Sequence, residues 1–322
     1  MTPGGSAVAL RRLLLVGAAL GLFVSLCPPA DAHDSPQHVI DALTVRIHAQ
    51  PKRAELWWQR ATEHRVLGDL MAAARDLREA IKLNPAFLAA LTDLSRVQLA
   101  QGSPHAATRT IQRALAQTAT EAERAPLRMV KADILVQSRE FERALAECES
   151  ALPYVPAGEP EWYLTRSQIQ CRLGRYREAA AGLQEGFERT GSAVLEVECI
   201  EALIDGGLFT SAAARIEPLL ENCRWRSSWL IRRARCRLGQ GDFGPAHQDL
   251  LAAIQELNQR LTSPHPSPEL LADRSLAYAL AGDNELARRD LAQASKLGLD
   301  EVMTRRVRLA LARDGSLHGP GR

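Results

Sequence analysis

The residues best suited to chemistry are arginines and tryptophans crowded into one short segment. This segment runs from position 223 to 237 and holds Arg224, Trp225, Arg226, Trp229, Arg232, Arg233, Arg235 and Arg237. A guanidinium grips a carboxylate or a phosphate through paired hydrogen bonds, and it also stacks on aromatic rings. The interpretation that we favour is that these arginines pair with acids of the same chain on a solvated face. The alternatives are an acidic peptide partner, or otherwise an anionic polymer or lipid.

A second candidate for chemistry is a copper site formed by His33 and His38. If export removes the residues before His33, that histidine supplies a free amine together with its imidazole, and His38 follows within the same short stretch. An amine with neutral imidazoles is a donor set that suits copper. Periplasmic metal binding is therefore the alternative function, and two solvated histidines at a flexible chain start are the simpler interpretation.

The first 32 residues have the three-part pattern of an export signal. Two arginines precede an apolar run over 13–27, and small residues follow up to Ala32. The run is shorter than the roughly 20 residues that span a bilayer, so we expect cleavage after Ala32. The sequence thus predicts a periplasmic or secreted protein with no stable membrane insertion after cleavage. Cys27 leaves a lipoprotein form open.

Other classes of function find little support. No GxSxG, HExxH or phosphate-binding glycine loop occurs, so we expect no enzymatic activity and no cofactor. The net charge of +2 comes from interspersed acids and bases, which does not favour nucleic-acid binding. The mature cysteines lack metal-ligand spacing and are expected to be small buried residues, although one or two disulfides stay open: Cys148, Cys171, Cys199, Cys223 and Cys236.

The chain contains an internal sequence repeat, and the elements of this repeat must position the side chains described above. Turn residues recur at spacings of 34, 37, 35, 33, 34 and 41: Gly68, Gly102, Arg139, Gly174, Gly207, Gly241 and Gly282. Five residues after every turn residue stands an alanine: Ala73, Ala107, Ala144, Ala179, Ala212, Ala246 and Ala287. Small residues at fixed offsets from a turn are expected where two helices of one repeat pack closely. The period predicts stacked helix pairs, each of which buries its faces against its neighbours.

The first full repeat, residues 54–85, carries a resemblance to the tetratricopeptide repeat (TPR) family. Its matching residues are Trp57, Ala61, His64, Gly68, Ala73, Leu77, Ala80 and Pro85. With the export signal, the chain resembles an exported bacterial TPR protein. The resemblance implies an all-α, right-handed α-solenoid of about seven helix pairs with terminal capping helices. Two departures from the family pattern are Arg139 at a turn and Gly186, which we expect to loosen the fourth repeat.

The chain divides into four segments by these patterns. The signal at 1–32 precedes a short N-terminal segment with a capping helix at 33–53. The solenoid follows at 54–298, with a Pro/Ser-rich loop near 259–268. A capping helix and a frayed tail are expected at 299–322, with arginines on the wet face of that helix.

The resemblance also implies a concave groove, lined by the first helix of each pair, that holds a peptide or helix of an envelope or secreted protein. The groove candidates are Trp58, Asp93, Arg96, Asp133, Gln168, Glu198, Glu201, Arg232, Arg235 and Asp273. They lack the Lys/Asn clamp with which some family members hold a C-terminal carboxylate. We expect an interaction scaffold or adaptor, with the face of Arg232 and Arg235 beside Glu198 and Glu201 in contact with the partner.

Overall fold

The computed structural model describes residues 35–154 and 159–312, and its regular structure in these ranges is helical. One 3-10 turn lies at Leu152–Tyr154. The α-helices of the described residues, in chain order, are α1 (Pro36–Ala49), α2 (Ala54–Val66), α3 (Leu70–Leu83), α4 (Leu88–Ala100), α5 (Pro104–Leu115), α6 (Glu121–Gln137), α7 (Phe141–Ala151), α8 (Glu161–Arg172), α9 (Tyr176–Thr190), α10 (Ala193–Asp205), α11 (Phe209–Asn222), α12 (Ser227–Gln240), α13 (Phe243–Arg260), α14 (Pro268–Ala281), α15 (Asn284–Lys296) and α16 (Glu301–Ala312).

Helices α2 to α15 form seven consecutive pairs, from α2 with α3 to α14 with α15. Each pair packs on the next, so the core runs along the stack rather than around one centre. The predicted all-α solenoid of about seven helix pairs is confirmed. Helix α1 packs on α2, where Leu43 and Ile47 meet Leu56. The connection between α13 and α14 occupies 261–267.

The turn inside each pair has one geometry in all seven repeats. All seven turn residues have positive φ, from 62° at Arg139 to 94° at Gly282. The next N–H donates to a carbonyl five residues back, as from Asp69 to His64 at 2.9 Å, which is the Schellman ending of a helix. Arg139 therefore adopts the glycine geometry and bears its steric cost, because a side chain crowds the backbone there.

The seven alanines after the turns are all fully buried. Their methyl groups let the two helices of a pair approach closely, as their spacing predicts. The expectation for Gly186 is wrong, because its repeat is tightly packed at this point. A Cβ on Gly186 would lie 2.6 Å from Cγ of Tyr163, whose ring is buried against the glycine. The large ring occupies the space that a small residue leaves.

A second repeated feature is a charged clamp between the two helices of a pair. Its basic residue precedes the turn residue by eight positions and its acid follows it by eight. In the first repeat, Arg60 Nε and Nη2 donate to the two oxygens of Asp76 at 2.6 and 2.8 Å. The same pairing joins Arg233 to Asp249, and Arg274 to Asp290. These acids are buried, so the clamp ties the pair together rather than offering a binding site.

The cysteines of the described residues are free thiols. Cys148, Cys199 and Cys236 are fully buried, in agreement with their expected packing role. The expectation of burial is wrong for Cys171 and Cys223, which are partly buried because they lie at the ends of α8 and α11. Burial raises the pKa of Cys148 to about 12 and that of Cys236 to about 11. Thiols that hold their protons this firmly are poor nucleophiles. None of the helices in the described ranges is both long enough and apolar enough to cross a bilayer.

Candidate functional site

The first helices of the pairs stand side by side and form the inner face of the solenoid, on which the groove candidates lie. We call the inner face of α2, α4, α6 and α8 the N-terminal groove. The inner face of α10, α12 and α14 is the C-terminal groove. The two grooves differ in how their polar side chains are paired, and each is described in turn.

The N-terminal groove begins with a short polar chain across neighbouring helices. The indole Nε1 of Trp58 on α2 donates to Oδ2 of Asp93 on α4 at 2.8 Å. Arg96 lies one turn further along α4 and its Nη1 is 3.4 Å from Oδ1 of Asp93. The Arg96 side chain is 51% exposed. Its guanidinium therefore keeps donors free for a ligand in the groove.

Asp133 on α6 and Gln168 on α8 continue the N-terminal groove. Both are exposed, and neither has a side-chain hydrogen-bond partner among the described residues. Desolvation within the inner face raises the pKa of Asp133, and the nearby charge of Arg96 opposes this rise. A carboxylate with incomplete solvation and no partner gains from a donor that a ligand brings.

Glu201 on α10 is the centre of the C-terminal groove and is only 3% exposed. Its oxygens accept from Arg232 Nε at 2.8 Å and from Arg235 Nη1 at 2.6 Å, both on α12. Arg306 Nη1 on α16 lies 3.2 Å from Oε1. Burial alone would raise the pKa of Glu201, but the three arginines outweigh it and lower that pKa to about 2. Glu201 is therefore held as a carboxylate.

Three further acids surround this cluster. Asp205 Oδ1 accepts from Arg235 Nη2 at 2.9 Å, while Glu198 is exposed on the same helix. Desolvation raises the pKa of Asp205, of Glu198 and of Asp273 on α14. The charge of Glu201 adds to the rise at each of them. The predicted neighbours Arg232, Arg235, Glu198 and Glu201 thus share one face, and the arginines pair within the chain.

The arginines and tryptophans of 223–237 do not form one surface, and several of the arginines pair with acids of the same chain, as the favoured interpretation of this segment expects. Arg232 turns to the groove, where its guanidinium carbon lies 5.1 Å from the ring centre of Trp229. Arg233 and Arg237 point away from it and pair with Asp249 on α13. The helical period separates these residues, because neighbours in sequence lie about 100° apart around a helix.

Trp225 lies before α12 and is 46% exposed. The guanidinium carbons of Arg224 and Arg260 are 5.0 and 4.8 Å from its ring centre. This aromatic residue is thus occupied by cations of its own chain. It forms no part of the cluster around Glu201.

The C-terminal helix α16 covers the C-terminal groove. It packs more extensively on α14 than on α15, although a further first helix of the stack would lie mainly on α15. Val307 is fully buried in the same apolar cluster as Leu276 of α14, and Trp229 packs against that cluster. The sequence predicts a capping helix here, and it does not reveal that this helix turns inward. The expectation that the arginines of this helix lie on its wet face is wrong for Arg306, because this side chain pairs with buried Glu201. The adjacent apolar Val307 was the signal for an inward face.

The described structure does not test the predicted copper donors. His33 lies outside the described residues, and His38 is exposed on α1. No cluster of three or more His, Cys, Asp or Glu suited to a metal occurs in 35–154 and 159–312. Copper binding stays a prediction from the sequence.

No family model and no curated protein matches this chain. Among solved structures, a TPR protein from Parabacteroides merdae ATCC 43184 is 20% identical, with a TM-score of 0.55 over 80% of this chain and 99% of the other. The C-terminal part of a TPR repeat-containing protein from Cytophaga hutchinsonii is 12% identical, with a TM-score of 0.46 over 84% and 94%. PilF from Pseudomonas aeruginosa is 13% identical, with a TM-score of 0.45 over 81% and 99%. The first of these likenesses shows the fold: this chain is a tetratricopeptide repeat protein in architecture, as residues 54–85 predict.

Proposed function

We propose that this protein is an exported, non-catalytic scaffold or adaptor that binds a peptide or helix of a protein partner in its groove. The proposal rests on the exposed polar side chains of the N-terminal groove. Asp133 and Gln168 are exposed and have no side-chain partner among the described residues, and Arg96 is half exposed. The helix pairs behind them are tightly packed, so the backbone positions that carry these groups are fixed before a partner arrives.

The three side chains favour a protein ligand. Asp133 accepts hydrogen bonds, Arg96 donates them, and the amide of Gln168 does both. An extended or helical peptide presents donors and acceptors together, whereas a nucleic acid would need a basic surface. The mixed lining therefore suits a polar face of a partner segment, and specificity would come from the spacing of these groups.

The face of Arg232 and Arg235 is a weaker candidate for the contact. Both arginines pair with buried Glu201, and this arrangement supports the alternative of internal ion pairing. Contact of this face with a partner stays a prediction. Arg96 in the N-terminal groove keeps free donors, whereas Arg232 and Arg235 are paired with Glu201, and for that reason we place the partner in the N-terminal groove.

Site-specific photocrosslinking tests this proposal. A photoreactive amino acid replaces Gln168 in the groove or, as a control, exposed Arg75 on α3. In the native envelope, we expect one protein to crosslink at Gln168 and not at Arg75. That protein, once purified, should bind the wild-type chain at least tenfold more tightly than Asp133→Arg, and Arg75→Glu should bind as wild type does. Equal crosslinking at both positions, or equal affinity for Asp133→Arg, would contradict the proposal.

The location of the protein is part of the proposal and rests on the export signal at 1–32, outside the described residues. We expect the protein in the periplasm or medium, with a mature chain that starts at His33. Intact mass of the exported protein measures the start directly. A start at any other residue would remove the free amine of His33 and with it the copper alternative. Membrane retention that Cys27→Ala abolishes would establish the lipoprotein form.

A further inference from the structure

Helix α16 contacts the C-terminal groove through a mixed face, in which Thr304 and Val307 are buried and Ala310 and Leu311 pack against the apolar cluster. Val307 is fully buried, and the adjacent Arg306 reaches Glu201 on α10, two helix pairs before α14. The opposite face of α16 is wet, with Val302 70% and Leu309 55% exposed. Helix α16 thus lies on the groove as a separate amphipathic helix would.

The net charge at this site would become more negative if α16 left it, because Arg306 leaves with the helix. The four acids Glu198, Glu201, Asp205 and Asp273 then face Arg232, Arg235 and, near Asp273, Arg260, so acids outnumber bases. Glu201 would keep two of its three arginines, so it would not become an unpaired buried charge. The released groove would remain folded around its ion pairs and would attract a cation.

The apolar part of the site belongs to the hydrophobic core of the C-terminal half. Leu276 and Val307 belong to one buried cluster, and Trp229 and Tyr278 pack against its edge. When Val307 leaves, the part of this apolar cluster that it covers would be exposed as a slot on the α14 side of the groove. An acidic peptide does not fit a groove that combines an apolar surface with excess carboxylates, because those carboxylates would repel it.

We propose that the C-terminal groove is a second docking site, for an amphipathic helix of a partner protein that carries an arginine next to an apolar residue, and that α16 is its intramolecular competitor. The inference rests on the proposed function for the class of partner, a protein. It concerns a different half of the groove and different residues. A partner helix places its arginine at Glu201 and its apolar residue in the slot of Val307.

The test uses the full chain and a defined probe, a fluorescent synthetic peptide of residues 300–312. The double variant Arg306→Glu, Val307→Asp releases α16, because it places two acids against the acidic groove. We expect the peptide to bind this variant at least tenfold more tightly than wild type, by fluorescence anisotropy. A peptide with Arg306→Glu should bind the variant at least tenfold more weakly than the native peptide.

Equal affinity for wild type and variant would overturn the proposal, since α16 would then not compete. Absence of binding to a variant with wild-type helical content would overturn it as well. Hydrogen exchange on the wild-type chain provides a second measurement that does not depend on the variant folding. We expect amides of α16 to exchange at least tenfold faster than those of α14. Exchange of both helices at one rate would mean that α16 leaves only when the solenoid unfolds, which also contradicts the proposal.

Crosslinking at Gln168 reports on the N-terminal groove alone, and the peptide reports on the C-terminal groove alone. If the peptide does not bind but a partner crosslinks at Gln168, this inference is wrong and the proposed function stands. The opposite result would remove the site proposed for the partner and leave α16 as a displaceable helix.

Discussion

The N-terminal and C-terminal grooves are built from the same repeat, yet they hold their charged side chains differently. Ala73 and Ala246 occupy the same fully buried position in the two halves. The difference lies on the inner face of the first helices, where Asp133 is exposed and Glu201 is enclosed by three arginines. A few side chains per repeat therefore decide whether a groove is open, while the buried alanines keep the solenoid the same.

The two kinds of charge have different energetic roles. Glu201 loses most of its hydration, and its arginines must offset that cost, so the loss of all three partners would leave a buried charge uncompensated. Asp93 and Arg96 in the N-terminal groove remain partly hydrated, and an exposed pair of this kind contributes little to stability. The charges of the C-terminal groove thus stabilise the fold, and those of the N-terminal groove are available to a ligand.

The largest expected effect tests what the two halves share. Ala73→Glu in the N-terminal half and Ala246→Glu in the C-terminal half should each lower the free energy of unfolding by about 3–5 kcal/mol. Each change forces an unpaired charge and a long side chain into a closed helix contact. Urea denaturation measures the loss. The control Arg75→Glu, on an exposed face of α3, should stay within about 0.5 kcal/mol of wild type. A wild-type midpoint for either alanine variant would show that the two halves do not share this packing.

The second prediction separates the halves. Glu201→Gln should cost about 3 kcal/mol or more, because three arginines lose the charge that compensates them. The matched change Asp93→Asn in the N-terminal groove should cost less than about 1 kcal/mol, since that pair is partly hydrated. Both values come from urea denaturation at pH 7. Equal losses would mean that the two grooves do not differ in the way their charges are held.

The pH dependence of stability sharpens the same contrast. The pKa of Glu201 is about 2 in the folded protein against an ordinary value of 4.5, so its contribution is complete above pH 4.5 and is lost as the pH falls toward 2. This loss amounts to about 3 kcal/mol. The raised pKa of Asp133 acts in the opposite direction: its ionised form costs stability at neutral pH, and acid relieves that cost.

We therefore expect stability to rise slightly from neutral to mildly acidic pH and then to fall steeply. Urea midpoints measured across this range give the profile. In Glu201→Gln the steep acid loss should be smaller by about 3 kcal/mol, and in Asp133→Asn the slight rise should be reduced. An acid loss of the same size in wild type and Glu201→Gln would assign it to other carboxylates.

The sequence predicts the framework of this protein well because the framework depends on local rules. A turn residue with positive φ and an alanine five residues later, such as Gly68 with Ala73, recur at nearly fixed spacing and specify each helix pair. The candidate site is less accessible to prediction. Helical geometry places Glu201 and Arg235 on the inner face, but burial of Glu201 depends on Arg306, about a hundred residues away. Gly186 similarly needs Tyr163 from the preceding helix, which the repeat pattern does not contain.

The smallest expected effect concerns the one turn that departs from glycine. Arg139 has a φ of 62° and is exposed, so its side chain gains little from the fold and bears the strain of the left-handed region. Arg139→Gly relieves that strain, worth about 1–2 kcal/mol, but it also gives the unfolded chain more freedom. We expect a net gain of about 0.5–1 kcal/mol in the free energy of unfolding. The turns of the C-terminal half have glycine already, as at Gly207 and Gly241, and offer no such gain.

The matched control for this change is Gly102→Ala at the preceding turn. Nothing lies within 4 Å of a Cβ at Gly102, so the positive φ of 72° is the sole source of strain there. We expect Gly102→Ala to lower the free energy of unfolding by about 1 kcal/mol, opposite in sign to Arg139→Gly. Urea denaturation of the two variants measures both changes in the free energy of unfolding in one experiment. If Arg139→Gly destabilises the protein while Gly102→Ala also does so, the guanidinium of Arg139 must make a contact that outweighs its backbone strain. The N-terminal half would then differ from the C-terminal half at a turn as well as on its inner face.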